Sequence, residues 1–132
     1  MLLAINCNNT NIKFGVVDGD RIVGEWRQHT SAMRTADEHA VWLIQLMKME
    51  GIDPKSITDA IIGSVVPQAN FNLRRLCTRY LNCEPLFIGE RRISAMSRKR
   101  VPVVSKAIQP FQMRFHACCI ATSPPRRRTS SR

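Results

Sequence analysis

Acidic residues are missing from the last third of this chain. All ten aspartates and glutamates of the 132 residues lie within residues 1–90, which also hold nine of the 20 lysines and arginines and so carry a net charge of −1. Residues 91–132 contain the other 11 basic residues and no acid, a net charge of +11. We therefore expect two segments of different character that join near Glu90.

Paired cysteines and long apolar runs are also missing. The five cysteines form no CxxC pair and lie far along the chain from most of the histidines, which argues against a metal site or a disulfide framework and favours reduced thiols. No basic region followed by a long apolar stretch opens the chain, and no run approaches the length that spans a bilayer. We expect a cytoplasmic protein without a signal peptide or a membrane segment.

The first polar stretch, NCNNTN, lies between two apolar runs, Leu2 to Ile5 and Ile12 to Val17. Asparagine is typical of turns because it tolerates left-handed backbone angles and its side chain bonds nearby backbone groups, so one interpretation is a simple hairpin turn. The other interpretation is a turn whose amides and hydroxyl surround phosphate oxygens. The residues of the turn alone leave both open.

The following residues predict a third strand and a helix. DGD makes a tight turn into RIVGEWRQHT, where Ile22, Gly24 and Trp26 alternate as in an antiparallel strand. Thr35 and Glu38 have the spacing of a capping box, and Gly51 suits the residue after a helix. The apolar residues between them recur at helical spacing: Ala36, Ala40, Leu43, Ile44 and Met47.

A second β-α-β unit completes the ordered segment. Ala60 to Val66 is a continuous apolar run typical of a strand buried on both faces, and Pro67 suits the first position of a helix. Leu86 to Ile88 is a short final strand. The predicted order is β-β-β-α-β-α-β, with crossover helices that require parallel pairing late in the sheet. The predicted buried face of the second helix contains Ala69, Leu73, Leu76, Cys77 and Tyr80.

Three stretches resemble the N-terminal part of type III pantothenate kinases: LLAINCNNTNIKFGVVDGDRIVGEWR, RTADEHAVWLIQLM and IIGSVVPQANFNLRRLCTRYLNCEPLFIGE. The resemblance covers residues 1–90 and implies the N-terminal half of an actin-like, ribonuclease H-like ATPase domain of the α/β class. It also implies a cytoplasmic homodimer that transfers the ATP γ-phosphate to pantothenate with Mg²⁺ and a monovalent cation, K⁺ or NH₄⁺, at the start of coenzyme A synthesis.

The resemblance places NCNNTN on the family's first phosphate motif, Asp-x-Gly-Asn-Thr-Asn. Asn9, Thr10 and Asn11 match the motif, while Asn6 stands where the family has Asp and Asn8 where it has Gly. Asn6 keeps the shape of a Mg²⁺-binding aspartate and loses its charge. Asn8 adds bulk where glycine lets the backbone approach phosphate. The resemblance thus implies nucleotide binding at these five residues, with Asn6 a degenerate metal position.

Two further motifs of the family, a Gly-Ala-Asp-Arg stretch with the catalytic carboxylate and an Asp-Phe-Gly-Thr-Ala-Thr phosphate motif, occur nowhere in the chain. Phosphoryl transfer needs a base in reach of the attacking hydroxyl. No catalytic residue can be assigned, and we expect this chain alone to be an inactive, truncated kinase.

Residues 91–132 have no sustained period, and SPPRRRTSSR is typical of disorder. One interpretation is a basic arm that binds nucleic acid through phosphates, which would make the chain a small nucleic-acid-binding protein. Another is out-of-frame translation, since shifted frames of GC-rich DNA favour Arg, Pro, Ser, Ala and Cys. A third function class, a non-catalytic partner of an intact kinase, also stays open.

Several large side chains of the ordered segment are predicted to be structural. Trp26 and Trp42 are interpreted as core or interface packing, and His39 as a half-buried packing residue. Three arginines of the second helix are interpreted as a solvated face: Arg74, Arg75 and Arg79.

Overall fold

The structure, a computed structural model, describes residues 1–88, which form a five-stranded mixed sheet with two helices. The strands are β1 (Leu2–Cys7), β2 (Asn11–Asp18), β3 (Arg21–His29), β4 (Asp59–Ser64) and β5 (Pro85–Phe87). The helices are α1 (Ala36–Met49) and α2 (Pro67–Tyr80), and a short 3-10 turn spans Pro54–Ser56. The predicted order β-β-β-α-β-α-β is confirmed.

The strands lie in the order β3-β2-β1-β4-β5. β1, β2 and β3 pair antiparallel as a meander, while β1 pairs parallel with β4 and β4 with β5, as the crossover helices require. Because the parallel strands run in the same direction, the carboxyl ends of β1, β4 and β5 meet at one edge of the sheet. The β1–β2 turn lies at that edge.

The main core joins the sheet to both helices. Leu3, Ile5 and Phe14 of the sheet belong to the same buried cluster as Leu43 of α1 and Leu73 of α2. A smaller buried cluster contains the strand residues of opposite phase, Leu2, Ala4, Val17 and Ile61. The predicted helix faces are confirmed apart from Ile44 and Tyr80, which are half-buried.

The capping box of α1 is present as predicted. The Thr35 hydroxyl accepts a hydrogen bond from the Glu38 N–H, and the Glu38 carboxylate accepts one from the Thr35 N–H at 2.8 Å. The Thr35 N–H and the Thr35 hydroxyl both donate to the Glu38 carboxylate, and these two bonds hold its pKa below the usual value. Gly51 follows the helix with φ of +74°, the left-handed conformation expected for that position.

Three strand details differ from the sequence-based expectation. Ile22 is 40% exposed because a β-bulge lies between Val16 and Val17, so that Ile22 pairs with Val17 while Gly24 pairs with Val16. The extra residue breaks the predicted alternation. β4 ends at Ser64, whose hydroxyl bonds the backbone of Val66, and β5 ends at Phe87. The exposed Val65 and Ile88 therefore lie outside the strands predicted to contain them.

The predictions for residues 91–132 fall outside the described residues: disorder in SPPRRRTSSR, and the interpretations as a nucleic-acid arm or an out-of-frame product. Within residues 1–88, neither helix is long and apolar enough to cross a membrane.

Candidate functional site

The candidate site is the turn between β1 and β2. The central strand β1 ends at Cys7, which pairs with Ile12 of β2 on one side and with Ser64 of β4 on the other. The N–H of Val65 donates to the carbonyl of Cys7 at 3.0 Å, so the segment that enters α2 is attached beside the turn. The turn therefore lies at the carboxyl edge of the central strands, where open α/β sheets bind ligands.

The carbonyl groups of the turn are held by Thr30, which follows β3. The Thr30 hydroxyl donates to the Asn8 carbonyl at 2.6 Å, and the Thr30 N–H donates to the Thr10 carbonyl at 2.9 Å. The N–H of Asn8 closes the turn by donating to the Asn11 carbonyl at 3.0 Å. Three carbonyl oxygens of the turn, those of Asn8, Thr10 and Asn11, thus accept hydrogen bonds from the protein.

The two residues at the tip of the turn present donors. Asn9 and Thr10 are exposed, and Asn8 and Asn11 are half-buried. Within residues 1–88, the backbone N–H groups of Asn9 and Thr10 donate to no protein group. With the Asn9 amide and the Thr10 hydroxyl they provide several neutral donors side by side, a set of groups suited to anionic oxygens.

The backbone of the turn does not adopt the left-handed angles that its asparagines would tolerate. Asn82, after α2, is the one non-glycine residue with positive φ in the described part of the chain, so the turn asparagines do not use left-handed angles. The bulk of Asn8 is accommodated at negative φ, and the side chain of this residue stays half-buried. Glycine's conformational freedom is therefore not needed to make the turn itself.

Asn6 lies one residue before the end of β1 and is 8% exposed. It pairs directly with Lys13 of β2 and with Gly63 of β4. Its amide oxygen is a possible metal ligand, but the amide has no charge, and one of the two direct cross-strand partners of Asn6 is a lysine. Within residues 1–88 no group of three acidic, histidine or cysteine side chains could hold a metal ion. These residues do not fit a Mg²⁺ site by themselves.

The start of α2 adds positive potential at the same edge. Pro67 occupies its first turn, no side chain caps its N-terminus, and no acidic residue lies in its first turn. The helix dipole there favours negative charge. No acid from α2 would oppose an anion bound at the turn.

His39 lies outside this group of residues. It is fully buried rather than half-buried, its ring is 6.2 Å from that of Phe14, and its Nδ1 is 2.8 Å from Oε1 of Gln28. Burial lowers its pKa to about 4, so the ring is neutral, with Nδ1–H donating to Gln28 and Nε2 left without a partner. It packs as predicted.

The two tryptophans and the arginines of α2 also have structural contacts. Trp26 is buried and its indole N–H donates to Glu50 at 2.7 Å, while the half-buried Trp42 packs at 5.4 Å from Phe14. Arg74 pairs with Glu84 at 2.5 Å, Arg79 lies 3.4 Å from Asp37, and Arg75 lies over Phe71. None of these contacts involves the turn.

Sequence reasoning missed Thr30 and Lys13. The sequence predicts Thr30 only as the end of a strand. Its contact with the turn depends on the pairing of Asn11 with His29, which brings the residue after β3 beside the turn. The position of Lys13 depends on the strand register, because Lys13 is seven residues from Asn6 in the chain and directly opposite Asn6 in the sheet. A hairpin centred on NCNNTN would have predicted the pairing of Asn6 with Lys13.

Comparison with known proteins shows which family this chain resembles. The family model of type III pantothenate kinase matches residues 2–103, and so continues past Glu90. The type III pantothenate kinase of Paramagnetospirillum magneticum is 56% identical over 90 residues, and that of Maricaulis maris 54% over 90 residues. Each alignment covers 68% of this chain and 35% of the relative, so the chain spans about a third of the length of these curated relatives.

The fold agrees with a solved structure of much lower identity. The ROK hexokinase of Thermus thermophilus superposes with a TM-score of 0.50 at 14% identity, covering 66% of this chain and 34% of that one. This similarity supports the actin-like ATPase fold predicted for residues 1–90. The family model matches most of the chain, and the relatives are more than 50% identical to it. The chain therefore belongs to the type III pantothenate kinase family.

Proposed function

We propose that this chain provides the first phosphate-binding segment of an ATP-dependent pantothenate kinase. In this proposal the turn residues Asn8, Asn9, Thr10 and Asn11 contact the ATP phosphates, and Asn6 lies behind them in the sheet. Pantothenate is the phosphate acceptor, and the complete kinase acts as a cytoplasmic homodimer. Family membership supports the substrates, because the relatives are named for pantothenate phosphorylation.

The observation that carries the proposal is the set of free donors at Asn9 and Thr10. Thr30 binds the neighbouring carbonyls, which would otherwise repel phosphate oxygens, and the N–H groups at the tip stay available. The uncapped start of α2, attached to β1 through Val65, adds positive potential at the same edge. Bound phosphate would meet donors and no carboxylate from these elements.

The kinase chemistry would need groups beyond residues 1–88. The turn is suited to bind and orient phosphate, but among the described residues neither the turn nor the first turn of α2 contains a carboxylate that could accept the proton of an attacking hydroxyl. The Mg²⁺ and the K⁺ or NH₄⁺ implied by the family would likewise have to be held by other residues. The proposal for this segment is therefore nucleotide binding, and phosphoryl transfer belongs to a complete site.

A charge placed at the tip of the turn tests the proposal. The dissociation constant of ATP would be measured by isothermal titration calorimetry on the full 132-residue chain and on Asn9→Asp. Asn9 is exposed, so the fold should tolerate the change, while the new carboxylate lies among the proposed phosphate donors. We expect ATP to bind about tenfold more weakly or worse, roughly 1.4 kcal/mol or more.

Asn82→Asp is the matched control. Asn82 is also exposed, adds the same charge, and lies after α2, away from the turn. Its ATP affinity should stay within about twofold of the unchanged chain. Equal weakening in both variants would mean that only net charge matters, and unchanged binding in Asn9→Asp would reject the turn as the phosphate site.

A further inference from the structure

A pair of cysteines lies at the end of α2, remote from the turn in sequence. Cys77 is in the last turn of the helix and 0% exposed, and Cys83, in the segment that leads to β5, is 7% exposed. Asn82 adopts φ of +52° between them and reverses the chain. As a result the N–H of Cys83 donates to the carbonyl of Cys77 at 3.1 Å.

The two side chains also interact with each other, because each thiol shifts the pKa of the other. One backbone hydrogen bond keeps the Cα atoms of the two residues it joins within about 7 Å, close to the range of about 4.4–6.8 Å that disulfides join. The backbone and side-chain contacts therefore place the two sulfurs where they could be joined with little movement of the chain.

The interaction between the two side chains makes the two thiols unequal. It lowers the pKa of Cys83 and raises the pKa of Cys77, which burial raises further. Cys83 is also the more accessible of the two and lies between the exposed residues Asn82 and Glu84. The thiolate is the nucleophile in thiol chemistry, so Cys83 is the residue that should react first.

We propose that Cys77 and Cys83 form a redox-responsive pair that closes to an intramolecular disulfide when it meets a low-molecular-weight disulfide such as glutathione disulfide. The Cys83 thiolate attacks one sulfur of that disulfide, forms a mixed disulfide and releases one glutathione thiolate. Cys77 loses its proton and attacks the Cys83 sulfur, which releases the second glutathione. The two cysteines are oxidised by two electrons, the glutathione disulfide is reduced to two thiols, and the cysteine protons end on those thiols.

The bridge would attach the end of α2 to the segment that enters β5. That segment is already held by the Arg74–Glu84 ion pair and by Arg74 over the ring of Phe87. The disulfide would close a short loop between elements that already touch, so the reduced and oxidised chains should share one fold. The two cysteines could then change between thiols and disulfide with the redox state of their surroundings while the domain stays folded.

Trypsin cleavage after Arg79 makes the bridge directly visible. The folded full chain would be incubated with glutathione disulfide, alkylated with N-ethylmaleimide, digested and analysed by mass spectrometry. Because Arg75, Arg79 and Arg91 flank the two cysteines, the bridge joins the peptide LCTR to the peptide YLNCEPLFIGER. We expect this linked pair to be the main oxidised product, and a reducing agent to abolish it.

Single variants separate the steps. Cys77→Ser should stop at one glutathione on Cys83, and Cys83→Ser should leave Cys77 largely alkylated. Cys7→Ser, which removes a buried cysteine at the end of β1, should give the linked peptides in unchanged yield. The proposal fails if the two peptides are recovered separately alkylated, if each cysteine carries its own glutathione, or if the link forms only in urea.

Discussion

Asn6 and Lys13 lie directly opposite each other on the neighbouring strands β1 and β2, one on each side of the β1–β2 turn. Directly opposite residues on neighbouring strands project to the same face and interact. An aspartate at position 6 would face the lysine with the opposite charge, and the asparagine of this chain does not. Asparagine in place of aspartate at position 6 therefore removes a charge from the cross-strand pair with Lys13, and it also removes a charged metal ligand.

The first prediction concerns the metal dependence of ATP binding. In the unchanged chain, replacing Mg²⁺ with EDTA should change the ATP dissociation constant by less than about twofold, because Asn6 brings no charge. In Asn6→Asp, Mg²⁺ should tighten ATP binding by about tenfold. Calorimetric titrations with and without Mg²⁺ measure both values. Asn6→Ser, which is polar and uncharged, should behave as the unchanged chain, and a strong Mg²⁺ effect with Asn6 in place would contradict the prediction.

The second prediction concerns catalysis. The 132-residue chain alone should produce no pantothenate-dependent ADP above background, and Asn6→Asp should not rescue it, because the sequence contains neither the Gly-Ala-Asp-Arg stretch nor the second phosphate motif. A coupled ADP assay with a full-length relative as positive control measures this. Pantothenate phosphorylation by the purified chain would require a catalytic base other than the family's.

The third prediction is a pH dependence of stability that arises from His39. Its pKa is about 4 in the fold and near 6.5 when unfolded, so the unfolded chain binds the proton more readily. The contribution of the neutral ring is complete above pH 6.5 and is lost as the pH falls towards 4. We expect a loss on the order of 3 kcal/mol in the free energy of unfolding over this range.

Urea unfolding between pH 7 and pH 4 measures this loss, and His39→Gln should reduce it. His29→Gln is the control for the loss of a histidine, because His29 is exposed at the end of β3. The same pH slope in the unchanged chain and in His39→Gln would assign the acid sensitivity to other groups.

The fourth prediction concerns the contact between Gly24 and Trp26. A Cβ at position 24 would lie 2.5 Å from the Trp26 ring and 2.9 Å from Ile52, so Gly24→Ala must displace a buried indole. We expect a loss of about 1–3 kcal/mol in the free energy of unfolding. Denaturant titration measures the free energy of unfolding, and the neighbouring Val23→Ala should lower it less because Val23 is partly exposed.

Adding Trp26→Leu to Gly24→Ala should recover part of the lost stability. Strictly additive effects of the two substitutions would refute the contact.

The sequence predicts those features of this fold that depend on local chemistry. The capping box at Thr35 and the proline at the start of α2 fix helix ends through neighbouring residues, and both are where they were expected. The bulge that exposes Ile22 depends on how β2 pairs with β3, which no single strand records. The contact of Thr30 with the turn also depends on how β2 pairs with β3. The full burial of His39 in α1 depends on Phe14 of β2 and Gln28 of β3.

The central place of β1 in the sheet has a consequence for the order in which the chain can fold during synthesis. One side of β1 pairs with β2 as soon as the first hairpin has emerged, but its other side waits for β4, more than fifty residues later. Until then a six-residue, fully buried strand exposes an unpaired edge. The nascent meander is therefore most open to wrong strand pairing before β4 leaves the ribosome, and a pause in translation between β3 and β4 should increase aggregation.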